Sequence, residues 1–104
     1  MKTLLVAVVV LSMGLASVAA AQEKYETDMF TTSKGDLKIT FVGHGSLFFT
    51  FGEKVIHVDP YSQVADYSTL PKADIILITH DHQDHLDMKA LNAVRTEKSS
   101  AVME

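Results

Sequence analysis

The residues best able to do chemistry lie in one short stretch, "HDHQDH", at positions 80 to 85. It contains three of the five histidines in the chain. His80 and His82 are two positions apart, so in an extended backbone their imidazoles point the same way and can bind one divalent metal ion. Asp84 and His85 follow after a turn, where they can serve a neighbouring metal position. Nitrogen and carboxylate ligands without sulfur suit zinc, with iron or manganese as alternatives.

An exposed loop that is merely rich in histidine and aspartate is the alternative to a metal site. Both residue types are common in loops, so a single His-x-His pair carries little information. Here four potential ligands occupy six positions, directly after an apolar segment and before a helical pattern. Loops at the ends of buried strands collect functional residues because a rigid scaffold holds them in place. The context therefore favours the metal site.

The segment before this loop predicts an antiparallel β-meander. Alternating apolar and polar residues at 37–42 indicate a strand with one buried face, and further strands are predicted at 46–51 and 55–60. Short glycine-containing connections join the three strands. The preceding segment, 22–36, has no clear period and is either a lead-in loop or a short edge strand.

The segment around the loop predicts a strand, a helix and a second strand. "DIILITH" at 74–80 contains a continuous apolar run, which is typical of a strand in the middle of a sheet that helices cover on one or both sides. The residues from 86 to 98 change to a helical period, with Asp87 placed as the N-cap. "SSAVME" at 99–104 predicts another strand. The fold class is therefore α/β.

The first 21 residues predict a cleaved signal peptide. Lys2 precedes an apolar run, and small residues follow before a predicted cleavage between Ala21 and Gln22. A permanent N-terminal anchor is the alternative, but the apolar run is shorter than the ~20 residues that a bilayer span needs. We therefore expect a periplasmic or secreted protein with no stable membrane anchoring after cleavage.

Composition excludes some partners and ligands. The chain has no cysteine, which rules out disulfides and thiolate ligands. The formal net charge is -4, and it becomes -5 when the signal peptide removes Lys2 and no acid. We expect no nucleic-acid partner, because such binding needs basic residues clustered on one face. The sequence leaves the oligomeric state open.

Two motifs resemble a known family. "THDHQDH" fits the His-x-His-x-Asp-His signature of the metallo-β-lactamase superfamily. Upstream, "FVGHGSLFFTFGEKVIHVDPY" resembles the opening of its lactonase-like metal-dependent hydrolases, the branch that includes ascorbate-6-phosphate lactonase. The resemblance covers about residues 37–96. It implies a four-layer αββα sandwich with a dinuclear metal site at the edge of its two sheets.

The resemblance also implies roles for the loop residues. His80 and His82 would bind the first zinc ion, while Asp84 and His85 would bind the second. Asp84 would in addition act in catalysis by orienting the nucleophile. The implied reaction is hydrolysis of a small ester, lactone or phosphoester by a metal-bound hydroxide.

Three further residues of interest lie outside the loop, and two of them have two interpretations each. His44, between two glycines, is either an ordinary turn histidine or, by the resemblance, a residue near the active site that supports a metal ligand or contacts the substrate. Asp59 either caps a turn or orients the loop of residues 80–85, here called the metal loop, since ligating histidines commonly require such a partner. His57 lies in the middle of a predicted strand, and we expect it to be a packed or half-exposed structural residue.

The chain departs from the family pattern in one respect. The superfamily takes a third histidine for the first metal, a bridging aspartate and a last histidine from segments that follow the motif. Residues 37–104 are therefore expected to be an incomplete, N-terminal portion of the domain, inactive by itself. The alternatives are a non-catalytic periplasmic metal-binding protein or truncated product with half a site, and a subunit whose missing ligands come from another chain.

Overall fold

The computed structural model describes residues 24–82 and 85–104, so the predicted signal peptide lies outside the described residues. Its main element is a six-stranded sheet whose strands follow chain order from one edge to the other. The strands are β1 (Glu26–Thr32), β2 (Gly35–Gly43), β3 (Ser46–Phe51), β4 (Lys54–Val58), β5 (Ile75–Ile78) and β6 (Ser100–Met103). A 3₁₀ helix (Tyr67–Thr69) and an α-helix, α1 (Met88–Val94), complete the elements of this part of the chain. No helix within it is long and apolar enough to cross a membrane.

The first four strands form the predicted meander, with every neighbouring pair antiparallel. Of the two alternatives for the lead-in segment, the structure has the edge strand, since β1 pairs with β2 along its whole length. β4 ends at Val58, before the Pro60 at which the sequence pattern placed its end. The reason is Asp59, whose positive φ of 46° turns the chain out of the extended conformation.

The last three strands are parallel, and β5 lies between β4 and β6. The predicted strand–loop–helix–strand unit is thus confirmed, and β5 is an interior strand, the fifth of six. Asp87 is the N-cap of α1, as predicted, and its side chain accepts hydrogen bonds from the backbone of Lys89 and Ala90. The helix is shorter than its sequence pattern because Arg95 adopts an extended conformation and ends it at Val94.

One face of the sheet is covered. Side chains alternate between the two faces of a strand, so neighbouring strands contribute every second residue to each face. On the covered face, α1 and the 3₁₀ helix join the sheet in a single apolar cluster. Its buried members are Val42, Phe48, Val55, Tyr67, Ala73, Ile76, Ile78, Ala90, Leu91 and Val94. Ala90, Leu91 and Val94 lie on one side of α1 because of their helical spacing, and their burial holds the helix against the sheet. The intrinsic helix propensity of so short a segment contributes little.

The opposite face, here called the open face, is apolar and is not covered by any helix or strand of the described residues. The strand registers place on it Phe30, Leu37, Ile39, Phe41, Leu47, Phe49, Phe51, Ile56, Val58, Ile75, Leu77 and Val102. The side chains of Phe49 and Phe51 are half-buried there, whereas Phe48 lies in the core.

Candidate metal centre

The loop after β5 brings three predicted ligands together. The backbone amides of His85 and Leu86 both donate to the carbonyl of His82, at 2.9 and 2.7 Å, which folds the loop back on itself. The ring centroid of His80 consequently lies 5.0 Å from that of His82 and 3.7 Å from that of His85. His80 and His82 are exposed, while His85 is half-buried.

The fourth predicted ligand, Asp84, lies outside the described residues. Within residues 24–82 and 85–104, no three histidine, cysteine, aspartate or glutamate side chains are arranged to hold a single metal ion. What the described residues supply is a cluster of three imidazoles at the end of a buried strand. The assignment of His80, His82, Asp84 and His85 as ligands remains a prediction.

Asp59 lies directly beneath this cluster and is buried, with 2% of its surface exposed. Its amide donates to the carbonyl of Leu77, and its own carbonyl accepts a 2.5 Å hydrogen bond from Ser46 Oγ. Its left-handed backbone is a conformation that aspartate adopts more readily than most residues. Such conformations cost free energy and cluster at functional sites.

The carboxylate of Asp59 makes three polar contacts, two with Thr79 and one with His85. Oδ1 accepts from the Thr79 amide at 2.8 Å, and Oδ2 accepts from the Thr79 hydroxyl at 2.6 Å. Oδ2 also lies 2.7 Å from Nδ1 of His85. This is the kind of contact by which a carboxylate orients a metal-binding histidine. The orienting role of Asp59 stays a prediction.

His44 stands beside the same cluster. Gly43 and His44 both have positive φ, at 139° and 55°, so the chain turns sharply after β2. The exposed ring of His44 lies 6.2 Å from that of His85 and 5.8 Å from that of Tyr61, measured between centroids. A Cβ atom on Gly45 would lie 3.2 Å from Cε1 of His85, so a side chain at this position would crowd that ring.

Asp87 does more than cap α1. While Oδ1 caps the helix, Oδ2 accepts hydrogen bonds from the Ser62 amide at 2.8 Å and the Ser62 hydroxyl at 2.6 Å. Burial raises the pKa of Asp87, but the hydrogen bonds from Ser62, Ala90 and Lys89 outweigh it and leave the pKa below its ordinary value. Asp87 lies just after the metal loop, so these hydrogen bonds link the end of the metal loop to the loop that carries Tyr61.

His57 is structural, as expected, and fully buried. Its Nε2 lies 2.9 Å from the carbonyl oxygen of Pro71, and its ring lies between Phe48 and Tyr67 at centroid distances of 5.0 and 5.7 Å. Burial lowers its pKa below 6.5, although the hydrogen bond to Pro71 opposes this shift. It takes no part in the histidine cluster.

The donor set fits a divalent metal of borderline softness. Neutral imidazoles are common zinc ligands, and the chain has no thiolate that would favour softer metals. In addition, Nδ1 of His80 and Nδ1 of His85 already have partners in Thr79 and Asp59. Thr79 was not among the residues predicted from the sequence. The feature that could have indicated it is a hydroxyl residue directly before the first histidine of the loop.

The chain is similar to several known proteins. A family model described as the Beta-lactamase superfamily domain matches residues 38–102. A UPF0173 metal-dependent hydrolase of Flavobacterium johnsoniae is 47% identical over 62 residues, which cover 53% of this chain and 27% of the relative. One from Pyrococcus furiosus is 37% identical over 65 residues, covering 58% of this chain and 28% of that protein.

A solved structure is also similar. The crystal structure of a candidate metal-dependent hydrolase from Parabacteroides distasonis matches with a TM-score of 0.72 and 52% sequence identity, over 74% of this chain and 36% of that one. This chain thus spans roughly a quarter to a third of the length of these proteins. The six-stranded sheet with its helix is consistent with the N-terminal half of the α/β fold of the family. The chain belongs to the metallo-β-lactamase superfamily and is related to its UPF0173 metal-dependent hydrolases.

Proposed function

We propose that this chain provides the histidine-rich half of a dinuclear zinc site in a hydrolase that cleaves a small ester, lactone or phosphoester. The observation that carries this proposal is the cluster of His80, His82 and His85 at the end of β5, with Asp59 beneath it. The family relationship supports hydrolysis and a metal requirement. To this family relationship the proposal adds zinc as the metal, a second metal position and the substrate class.

Each loop residue has a distinct task in this proposal. His80 and His82 would hold the first zinc ion, and Asp84 and His85 the second, with Asp84 also orienting the nucleophile. Zinc supplies Lewis-acid chemistry when bound, since it lowers the pKa of water and stabilises negative charge on a carbonyl or phosphoryl oxygen. Asp59 keeps the ring of His85 in place through the 2.7 Å contact between Oδ2 and Nδ1.

His44 and Tyr61 are proposed to contact the substrate. His44 is exposed beside the histidine cluster, and Tyr61 is half-buried, with its ring 5.8 Å from that of His44. An imidazole and a phenol can both donate a hydrogen bond to an ester or phosphate oxygen. The resemblance to the lactonase-like branch supports such a substrate more than a β-lactam.

The proposed setting is the periplasm or the extracellular space. It rests on the signal-peptide pattern of residues 1–21, with cleavage between Ala21 and Gln22 and no stable anchoring afterwards. We propose a small-molecule substrate and no nucleic-acid partner, since acidic residues outnumber basic ones, 13 to 9. Separation of cells into cytoplasmic, periplasmic and membrane fractions would test the location, and a cytoplasmic, uncleaved chain would contradict it.

Hydrolysis is best tested in a protein of full family length. Residues 38–102 would replace the matching segment of the Parabacteroides distasonis protein, to which this chain is 52% identical. The zinc-loaded chimera would be assayed on a carboxylic ester, a lactone and a phosphodiester, beside a chimera carrying His80→Ala and His82→Ala. We expect zinc-dependent hydrolysis of at least one substrate, and its loss in the double variant.

A folded, zinc-loaded chimera that hydrolyses none of the three substrates would contradict the hydrolase assignment. Zinc binding without hydrolysis would then favour the non-catalytic metal-binding protein. The hypothesis of a subunit completed by another chain makes a different prediction. In that case the full 104-residue chain would gain hydrolytic activity only when mixed with its partner.

A further inference from the structure

We infer that Thr79 and Asp59 together fix the tautomers of His80 and His85, so that one buried carboxylate prepares a ligand for each of two metal positions. The inference rests on the proposed function, in which these histidines belong to different zinc ions. Thr79 is a positioning residue, since its hydroxyl acts through His80. A neutral imidazole carries its proton on one ring nitrogen only, and the hydrogen bond made by one nitrogen decides which atom is left for a metal.

The tautomer of His85 follows from its contact with Asp59. An ionised carboxylate only accepts hydrogen bonds, so the proton between Oδ2 and Nδ1, 2.7 Å apart, belongs to the imidazole. The same Nδ1 lies 3.4 Å from Thr79 Oγ1, a longer contact with a neutral atom, so the carboxylate is the main acceptor. Neutral His85 therefore carries its proton on Nδ1 and keeps a lone pair on Nε2.

The tautomer of His80 follows one step further along the same chain of hydrogen bonds. Thr79 Oγ1 lies 2.6 Å from Asp59 Oδ2, and because the carboxylate cannot donate, the single hydroxyl proton must lie between these two oxygens. Oγ1 then has only lone pairs to offer to Nδ1 of His80, 2.9 Å away. His80 must therefore donate from Nδ1, which leaves the lone pair on its Nε2.

The reverse arrangement is unfavourable. If Thr79 donated to His80, no proton would lie between Oγ1 and the carboxylate oxygen, and two sets of lone pairs would face each other at 2.6 Å. Asp59 is buried, so water cannot easily separate them. His80 and His85 therefore reach the same tautomer by different routes, His85 directly and His80 through Thr79.

His57 provides an internal reference with the opposite tautomer. Its Nε2 lies 2.9 Å from the carbonyl oxygen of Pro71, which can only accept, so the proton of His57 is on Nε2. Its Nδ1 has no hydrogen-bond partner among the residues that the structure describes. One spectrum of the chain should thus contain both kinds of neutral histidine at known positions.

The test is ¹⁵N NMR of the histidine side chains in the full, metal-free chain. Correlations between ring carbon-bound protons and ring nitrogens distinguish the two tautomers, and spectra recorded at increasing pH until the nitrogen shifts stop changing report the neutral form of each ring. We expect the proton on Nδ1 in His80 and His85 and on Nε2 in His57. Thr79→Val, which removes only the hydroxyl contact, should release His80 while leaving His85 and His57 unchanged, and Thr79→Ser should restore His80.

Zinc affinity supplies the second readout. Loss of an outer partner of a metal-binding histidine weakens metal binding by about 10- to 100-fold, so Thr79→Val should lower zinc affinity by that factor and Thr79→Ser should recover it. A proton on Nε2 of His80 in the unsubstituted chain, or no change of His80 in Thr79→Val, would overturn the inference. The expected tautomers without any zinc binding would support the inference and contradict the proposed function instead.

Discussion

Asp59 is the residue on which the geometry of the candidate metal centre depends most. It is buried, has a left-handed backbone, and accepts hydrogen bonds from both Thr79 and His85. A carboxylate in such surroundings makes stronger hydrogen bonds than a neutral amide does. A carboxylate that contacts a metal-binding histidine also fixes the orientation of its ring, which strengthens metal binding by that histidine.

Asp59→Asn is expected to weaken zinc binding by about 10- to 100-fold, because the amide keeps the shape but loses the charge and presents a donor to one neighbour. Isothermal titration calorimetry with zinc measures this directly. Asp74→Asn is the matched control, since Asp74 accepts a backbone hydrogen bond from Val55 at 2.8 Å without contacting a histidine in the described structure. Equal zinc affinity in the two variants would show that Asp59 has no special role.

His57 predicts a specific pH dependence of stability. Burial lowers its pKa in the folded chain below 6.5, the value for the unfolded chain, although the Pro71 hydrogen bond opposes the shift. At a pH between these two pKa values, the unfolded chain binds more protons than the folded chain does. The contribution of His57 to the free energy of unfolding is therefore fully present above pH 6.5 and is lost as the pH falls toward the folded pKa.

The contribution of His57 is measured as a difference between two chains. Chemical unfolding of the unsubstituted chain and of His57→Gln should be followed from a pH of about 7.5 to about 5. We expect the unsubstituted chain to lose up to about 1.4 kcal/mol more per pH unit within the window. Parallel curves for the two chains would mean that His57 protonates equally well in the folded state.

At the scale of elements, Asp87 connects α1 to the loop between β4 and β5. One carboxylate oxygen caps the helix, and the other accepts both hydrogen bonds from Ser62. A helix of seven residues has little stability of its own, so its position depends on this cap and on burial of its apolar side. Asp87 therefore helps to hold the metal loop and the Tyr61 loop together.

Asp87→Ala is expected to lower the free energy of unfolding by about 2 to 3 kcal/mol, combining the loss of an N-cap with the loss of hydrogen bonds to a carboxylate. Urea unfolding measures the change. Glu97→Ala, which removes an exposed acid just after the helix, is the control and should change stability by less than about 0.5 kcal/mol. A similar, small effect in both variants would contradict the connecting role.

The elements were predictable wherever the pattern along the chain is local. Alternation indicated the strands of the meander, and the acid at position 87 marked the start of α1. The ends were less predictable, because they depend on backbone conformation at single residues. The positive φ of Asp59 ends β4 early, and the extended Arg95 ends α1 early, and neither residue type requires that conformation.

The site was predictable to a similar degree. Its histidines are close in sequence, and their spacing, together with the apolar strand before them and the helical pattern after them, predicted a metal-binding loop. The contacts that orient them are not local, since Asp59 meets Thr79 and His85 only because β4 and β5 pair in parallel. A sequence pattern predicts that Asp59 lies at the end of a strand, but it does not predict which hydroxyl its carboxylate contacts.

At the scale of the whole molecule, the open face is the most unusual feature. Phe30, Phe41, Ile75 and Val102 are exposed on it at 51%, 40%, 36% and 56%. Contiguous apolar surface of this kind marks an interaction site or promotes self-association. In the four-layer sandwich that the family resemblance implies, a second sheet packs against such a face at about 10 Å.

The purified chain is therefore expected to self-associate through the open face. Phe41→Lys places a charge on this apolar surface and should shift the chain toward monomer in analytical ultracentrifugation. Met29→Lys is the matched control, because Met29 is exposed at 58% on the other side of the sheet. A monomeric unsubstituted chain, or an equal effect of the two substitutions, would contradict this expectation.

The proposed function depends on metal binding by the loop from His80 to His85, and the zinc content of the purified chain measures this binding. The full chain would be loaded with zinc, dialysed and measured by elemental analysis, beside the His80→Ala/His82→Ala variant. We expect the unsubstituted chain to retain zinc and the folded double variant to lose it. Equal zinc in both chains, or none in the folded unsubstituted chain, would contradict it.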